Sequence, residues 1–271
     1  MAEETICKTV HQYNKFPISD EDMKKLQEIA EDYRTVKNYV YQRYGGKNSL
    51  SKIYPGYTIQ KEMGKSGLRE RLALPSVYFN VAILDAISDI KSQWTRTKTS
   101  VLKRVNKNET FSEADRHYLR FLLKVSNAFE MVLNDKTIEL KPEVQKKYVE
   151  LAERVDTHKL NNYLKRQVRK LHTKIYAEKA EGFSLTERAY RYDNHGIYIT
   201  MKEKRKRIFV ELTDNQRYVR QIYIKLYPEQ NNIELLIPVD VKVKQHTDYH
   251  NSVGLAVGMY TMFVTDKGNT Y

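Results

Sequence analysis

The strongest chemical signal in this sequence is clustered positive charge. Lys165, Arg166, Arg169, Lys170 and Lys174 form a dense side of a predicted helix, opposed only by Glu178. Lys202 to Arg207 places five cations in six residues. Lys91, Arg96, Lys98, Lys103 and Arg104 stand among Ser, Thr and Gln, with no acid before Glu109. Such sets hold phosphate oxygens by charge and hydrogen bonding, largely without reading sequence. Arg217, Arg220 and Lys225 interleave with Tyr218, Tyr223 and Tyr227, which suits cations on phosphate and rings on sugar or base. Two plainer assignments compete: a solvated helix end for 91–104, and a lysine-guarded sheet edge for 202–207.

Other chemistries find less footing. Cys7 is the only cysteine, which excludes intramolecular disulfides and cysteine zinc sites within this stretch and fits a reducing cytoplasm. His246 and His250 are four apart beside Asp248, in a predicted loop, a weak metal signature. No G-x-x-x-x-G-K-[ST] or G-x-G-x-x-G occurs, so nucleotide-cofactor chemistry has no support.

The elements that must position these groups follow from periodicity. The 271 residues suffice for one large domain or two small ones, and the net charge of +13 calls for a polyanionic partner. No run approaches the roughly 18 apolar residues of a membrane span, and no apolar signal core opens the chain. Residues 4–13 read as a strand whose partner lies far downstream. Ser19 caps a helix to about Tyr44, with Met23, Leu26, Ile29, Tyr33, Val36 and Val40 on one face. A short helix is expected near 58–63. Pro75 and Ser76 open a long helix carrying Val81, Leu84, Ile87, Ile90 and Trp94. One helix is expected from Ser112 to about Leu133, another from Pro142 to about Arg154, and a third from Asp156 to Ala180. After Ser184 the period changes to two. Strands are expected at 187–192, 197–201, 208–212, 220–227 and 233–239, forming a small barrel or strongly bent sheet.

The last stretch, Tyr249 to Tyr271, reads as a hairpin in which Val253, Leu255 and Val257 alternate with small residues and Asp266 to Asn269 make a turn. Val-Gly-Leu-Ala-Val-Gly followed by a β-rich run and Asp-Lys-Gly resembles the opening hairpin of the RuvC-like nuclease core of TnpB. These are transposon-encoded, RNA-guided relatives of type V CRISPR effectors. The resemblance implies an α+β architecture. A helical recognition lobe (19–182) is inserted into a small β-barrel wedge domain (1–18 and 183–247), and the opening hairpin of an RNase H-like fold follows (248–271). It implies guide RNA and double-stranded target DNA as partners, no membrane, and a place in the prokaryotic cytoplasm at the nucleoid.

In that family the hairpin's carboxylate holds a catalytic magnesium. Here the position is Ala256, flanked by Gly254 and Gly258. A methyl group offers no oxygen ligand. The later acidic motifs and paired cysteines of the family are also absent, so the expectation is a chain truncated after the first nuclease motif, without a cofactor and unable to cut DNA. Decay, a retained nuclease-dead role and engineered inactivation all fit Ala256. The rival reading is a basic DNA- or RNA-binding regulatory or structural protein that uses no guide.

Overall fold

The computed structural model describes residues 5–242, 255–256 and 264–265. The chain forms two compact units, Val10–Pro238 and a smaller one made of Met1–Thr9 with Val239–Tyr271. The larger unit is mixed α and β. Among the described residues it holds nine α-helices followed by antiparallel strands.

Two long helices organise the α part. In α1 (Asp20–Tyr44), the Ser19 hydroxyl accepts from the Asp22 amide at 3.1 Å, satisfying one of the amides a helix start leaves open. The expected stripe, Met23, Leu26, Ile29, Tyr33, Val36 and Val40, is buried. It packs on α5 (Ser76–Lys107), a helix of 32 residues and so about 48 Å long. Pro75 supplies its entry, since proline cannot continue a helix toward its own N-terminal side without losing an amide. Between them lie α2 (Leu50–Ile53), α3 (Tyr57–Gly64) and α4 (Leu68–Leu72).

The helix expected from 112 to 133 is two helices, α6 (Glu113–Lys124) and α7 (Ser126–Leu133). Ser112 and Asp115 close a reciprocal capping box on α6. Val125, a β-branched residue, adopts φ −90° and ψ 101° and ends it. The break gives the two apolar rows partly different neighbours: both meet α5 and α9 (Thr157–Leu171), but α6 alone packs on α8 (Pro142–Ala152) and α7 alone on α2.

The helix expected to run to Ala180 also stops early, at Leu171. Residues 172–181 are irregular, so Lys174 and Ile175 leave the helix. Tertiary partners outbid helical propensity here. Asn38 donates to the Ala177 carbonyl (3.0 Å) and accepts from its amide (2.8 Å), imitating a strand partner. Arg34 donates to the Glu178 carbonyl and Gln93 to that of Thr173.

The strands are β1 (Thr5–Tyr13), β2 (Gly182–Leu185), β3 (Tyr190–Asp193), β4 (Gly196–Thr200), β5 (Arg207–Glu211), β6 (Ile222–Tyr227) and β7 (Asn232–Lys242). One sheet has the order β1-β7-β6-β2 and a second β3-β4-β5. The distant partner expected for β1 is therefore β7, and among the described residues every α-helix lies between β1 and β2 in sequence. The Asn14–Leu212 bridge, with Lys15 N donating to Glu211 O, links the end of β1 to that of β5. The expected barrel is corrected on one point: among the described residues β2 and β3 remain edges and the strands do not close. After Leu185 the chain turns through an Ala189-to-Thr186 hydrogen bond, and β3 then pairs with β4 rather than β2.

Helices and sheets meet around Phe183, which is fully buried and edge-on to Tyr78 at 5.3 Å. Asp85 on α5 accepts from Tyr33, Ser184 and Gln221, tying α1, α5 and β2 to the segment before β6. Burial and this carboxylate together push the Tyr33 phenol well above its usual pKa. In the smaller unit, β8 (Leu255–Ala256) pairs antiparallel with β9 (Val264–Thr265).

Candidate nucleic-acid interface

Helices α5 and α9 pack antiparallel, and this brings two of the predicted basic runs together. Three contacts set the register: Gln93 to Thr173, Thr97 to His172, and Arg104 to Gln167, the last at 2.8 Å. Arg96 and Lys103 on α5 and Arg166, Arg169 and Lys170 on α9 are exposed, and no acid pairs with them among the described residues. Leu160, Leu164 and Val168 form the buried stripe of α9, which turns the cations outward.

Other predicted cations are already engaged. Lys98 lies 4.6 Å from the Phe129 ring centroid, and burial lowers its pKa. Lys91 stands 5.5 Å from the Tyr54 ring. Lys165 pairs with Asp135, and Lys202 pairs with Asp32 at 2.5 Å. Arg104 is spent on Gln167. Lys174 borders a cleft of about 740 Å³ between α1 and the 172–176 segment, with Arg34, Asn38, Tyr39 and Tyr176. Sequence periodicity missed this cleft because it assigned residues 172–176 to a helix.

Lys204, Arg205 and Lys206 are exposed at the tip of the β4–β5 hairpin, where Arg205 has a positive φ of 65° and Met201 N donates to Lys206 O. Arg207 begins β5 opposite Thr200 and is exposed. Arg217 donates to Asn194, Tyr218 donates to Gln216, and Arg220 donates to the Pro238 carbonyl. Tyr223 is partly exposed on β6. Tyr227 instead serves structure: with His11 and Tyr13 it hydrogen-bonds Glu234, and the Tyr227 and His11 bonds hold that carboxyl below its usual pKa.

Register exposes one set that the charge pattern did not. Arg191, Tyr198 and Phe209 lie directly opposite one another across β3, β4 and β5. The alternation Ile197-Tyr198-Ile199 and Ile208-Phe209-Val210 was the available signal, because its apolar members are buried and the rings must face outward.

His172 ends α9 and stacks on Trp94 at 3.7 Å, with Nδ1 3.1 Å from Thr97 Oγ1 and Nε2 3.2 Å from the Gly45 carbonyl oxygen. Burial lowers its pKa. The unfolded chain then binds a proton more readily than the folded one, so stability is complete above the unfolded histidine value near 6.5 and declines as pH falls below it. Denaturant midpoints at pH 7.5 and 5.5 (about one unit either side) check this. The wild type is expected to lose more stability on acidification than His172→Gln.

Ala256 sits on β8 opposite Val264. Gly254, Gly258, Asp248, Asp266, His246 and His250 lie outside the described residues. Among the described residues no three His, Cys, Asp or Glu side chains gather as metal ligands, and no helix is long and apolar enough to cross a membrane. No protein-family model matches the chain, and a search of curated proteins returns no match.

Proposed function

We propose that this chain is a TnpB-like nucleic-acid-binding protein that holds guide RNA and target DNA and does not cut. The observation that carries the reading is the α5–α9 pair, whose exposed Arg96, Lys103, Arg166, Arg169 and Lys170 have no acidic partner among the described residues. Cations left without acids suit a partner that brings its own phosphates. The order of elements supports the TnpB-like form: β1 joins the sheet of β6 and β7, and all the α-helices among the described residues are inserted between β1 and β2. In that form the two sheets act as the wedge, the helices as the recognition lobe and β8–β9 as the start of the nuclease fold. The helices grip an RNA–DNA duplex by its backbone while base pairing reads sequence. With Ala256 at the first carboxylate position, magnesium has no ligand there and hydrolysis is not supported.

The second reading is an unguided basic DNA- or RNA-binding protein, favoured by the fact that the α5–α9 cations require nothing beyond phosphate. Purification at high salt, followed by sequencing of retained RNA, separates the two. The guided reading expects one dominant RNA with a structured part and a variable end. A smear of cellular RNA, or none, overturns it.

A further inference from the structure

The outer face of the β3-β4-β5 sheet carries an aromatic row with a charged gradient across it. Arg191 pairs with Tyr198 and Tyr198 with Phe209 in the cross-strand register. The Arg191 guanidinium lies 5.1 Å from the Tyr198 ring centroid, and the Tyr198 and Phe209 rings are 4.9 Å apart at 47°. Phe209 is 46% exposed. Its ring lies over Gly196, where a Cβ would overlap it, so the glycine sets the ring's position on the sheet.

The rows on either side differ in charge. Toward the hairpin tip, Thr200 pairs with Arg207, and Lys204, Arg205 and Lys206 follow. On the opposite side Asp193, Gly196 and Glu211 are in register. Glu211 is held by Lys15 at 2.7 Å, and Lys15 also stands 5.1 Å from the ring of Phe16, itself 59% exposed.

We propose that this face is a stacking platform for unpaired bases of single-stranded RNA, with Tyr198 and Phe209 as the stacking rings and Arg207 and the 204–206 tip on phosphate. The proposal rests on the nucleic-acid reading above and adds to it a site and a partner class. A large exposed ring in the middle of a sheet face forgoes about 1 kcal/mol of burial, which a stacked base restores. Duplexes bury the faces of their bases in the stack, so rings at this position suit unpaired nucleotides. Charge complementarity sets the occupant, because cations crowd the tip side and attract a polyanion. On the other side Asp193 pairs with Arg191 and Glu211 with Lys15, so that row carries no excess of cations, and its carboxylate oxygens can still accept hydrogen bonds. A ribose 2′-hydroxyl can donate to them and deoxyribose cannot, which selects RNA.

The experiment measures binding of the full chain to a short uridine oligomer, to the matching deoxyuridine oligomer and to mixed-sequence duplex DNA. The Tyr198→Ala/Phe209→Ala variant is expected to lose about ten- to a hundredfold in affinity for the uridine oligomer, from the usual contribution of base–ring stacking, and to keep its duplex affinity. Tyr198→Phe, which retains the ring, is expected to keep both. Unchanged uridine binding in the double variant, with duplex binding intact, overturns the platform and leaves the nucleic-acid reading standing. Equal wild-type affinity for the deoxyuridine oligomer overturns the choice of RNA. A wild type that binds none of the three overturns both readings.

Discussion

Trp94→Ala is expected to destabilise the larger unit by about 3–5 kcal/mol, the usual cost of emptying a buried aromatic site, and to lower the Tm by about 10 °C. Trp94 has no exposed surface and is the largest fully buried side chain of α5. Three elements depend on it. His172 stacks on one side of the indole at 3.7 Å, and Phe129 of α7 meets it edge-on at 6.0 Å. His172 in turn fixes where α9 ends and the irregular 172–181 segment begins. Alanine removes the ring on which both contacts rest, and the backbone of a 32-residue helix cannot collapse into the space. Trp94→Phe separates two contributions. The indole Nε1 is buried without a hydrogen-bond partner among the described residues, so phenylalanine keeps a ring for His172 and removes that unpaired donor. Its loss in a denaturant titration should be less than half that of alanine. An equal loss would mean that the indole's size, rather than ring stacking, sets the stability of this junction.

Local signals made much of the α part legible. Ser19 and Asp22 marked the start of α1, Pro75 the start of α5 and Asp156 that of α9, because caps act over three or four residues. The misreadings fall where distant partners decide. Nothing near Val125 indicates that α6 will pack on α8 and α7 on α2. Nothing within 172–181 indicates that Asn38, Gln93 and Arg34, contributed by α1 and α5, will hold that segment out of a helix. The β2 strand was invisible for another reason: Phe183, Ser184 and Leu185 are all buried, so the two-residue alternation that identifies a half-exposed strand is absent.

The candidate site divides in the same way. Charge is readable from sequence, but its availability depends on the fold. Lys98, Lys165 and Lys202 look equivalent to Lys103, Arg166 and Lys206 in the chain, yet the first three are held by Phe129, Asp135 and Asp32. The Arg191–Tyr198–Phe209 row needs strand register, which a shift of one residue would turn to the other face.

Replacing Arg96, Lys103, Arg166, Arg169 and Lys170 together with alanine is expected to have the largest effect on binding. If each neutralises one phosphate, the slope of log affinity against log salt for duplex DNA becomes shallower by about 4–5, from about 0.9 per contact. At low salt the same loss amounts to several hundredfold or more, because counterion release scales with the number of contacts. All five residues are exposed and lack acidic partners among the described residues, and the buried stripes of both helices are untouched, so stability should change little. Lys98→Ala and Lys165→Ala give the contrast. Their cations are occupied by Phe129 and Asp135, so each should leave the salt slope nearly unchanged. A salt titration of the five-residue variant and these two single variants, by fluorescence anisotropy on one duplex, tests the assignment directly. If Lys98→Ala and Lys165→Ala flatten the slope as much per residue as the exposed set does, their aromatic and acidic partners yield to phosphate on binding. The binding surface would then extend across α7. If the five-residue variant keeps the wild-type slope, the α5–α9 pair does not contact the backbone, and the exposed hairpin tip at Lys204, Arg205 and Lys206 becomes the next cluster to replace.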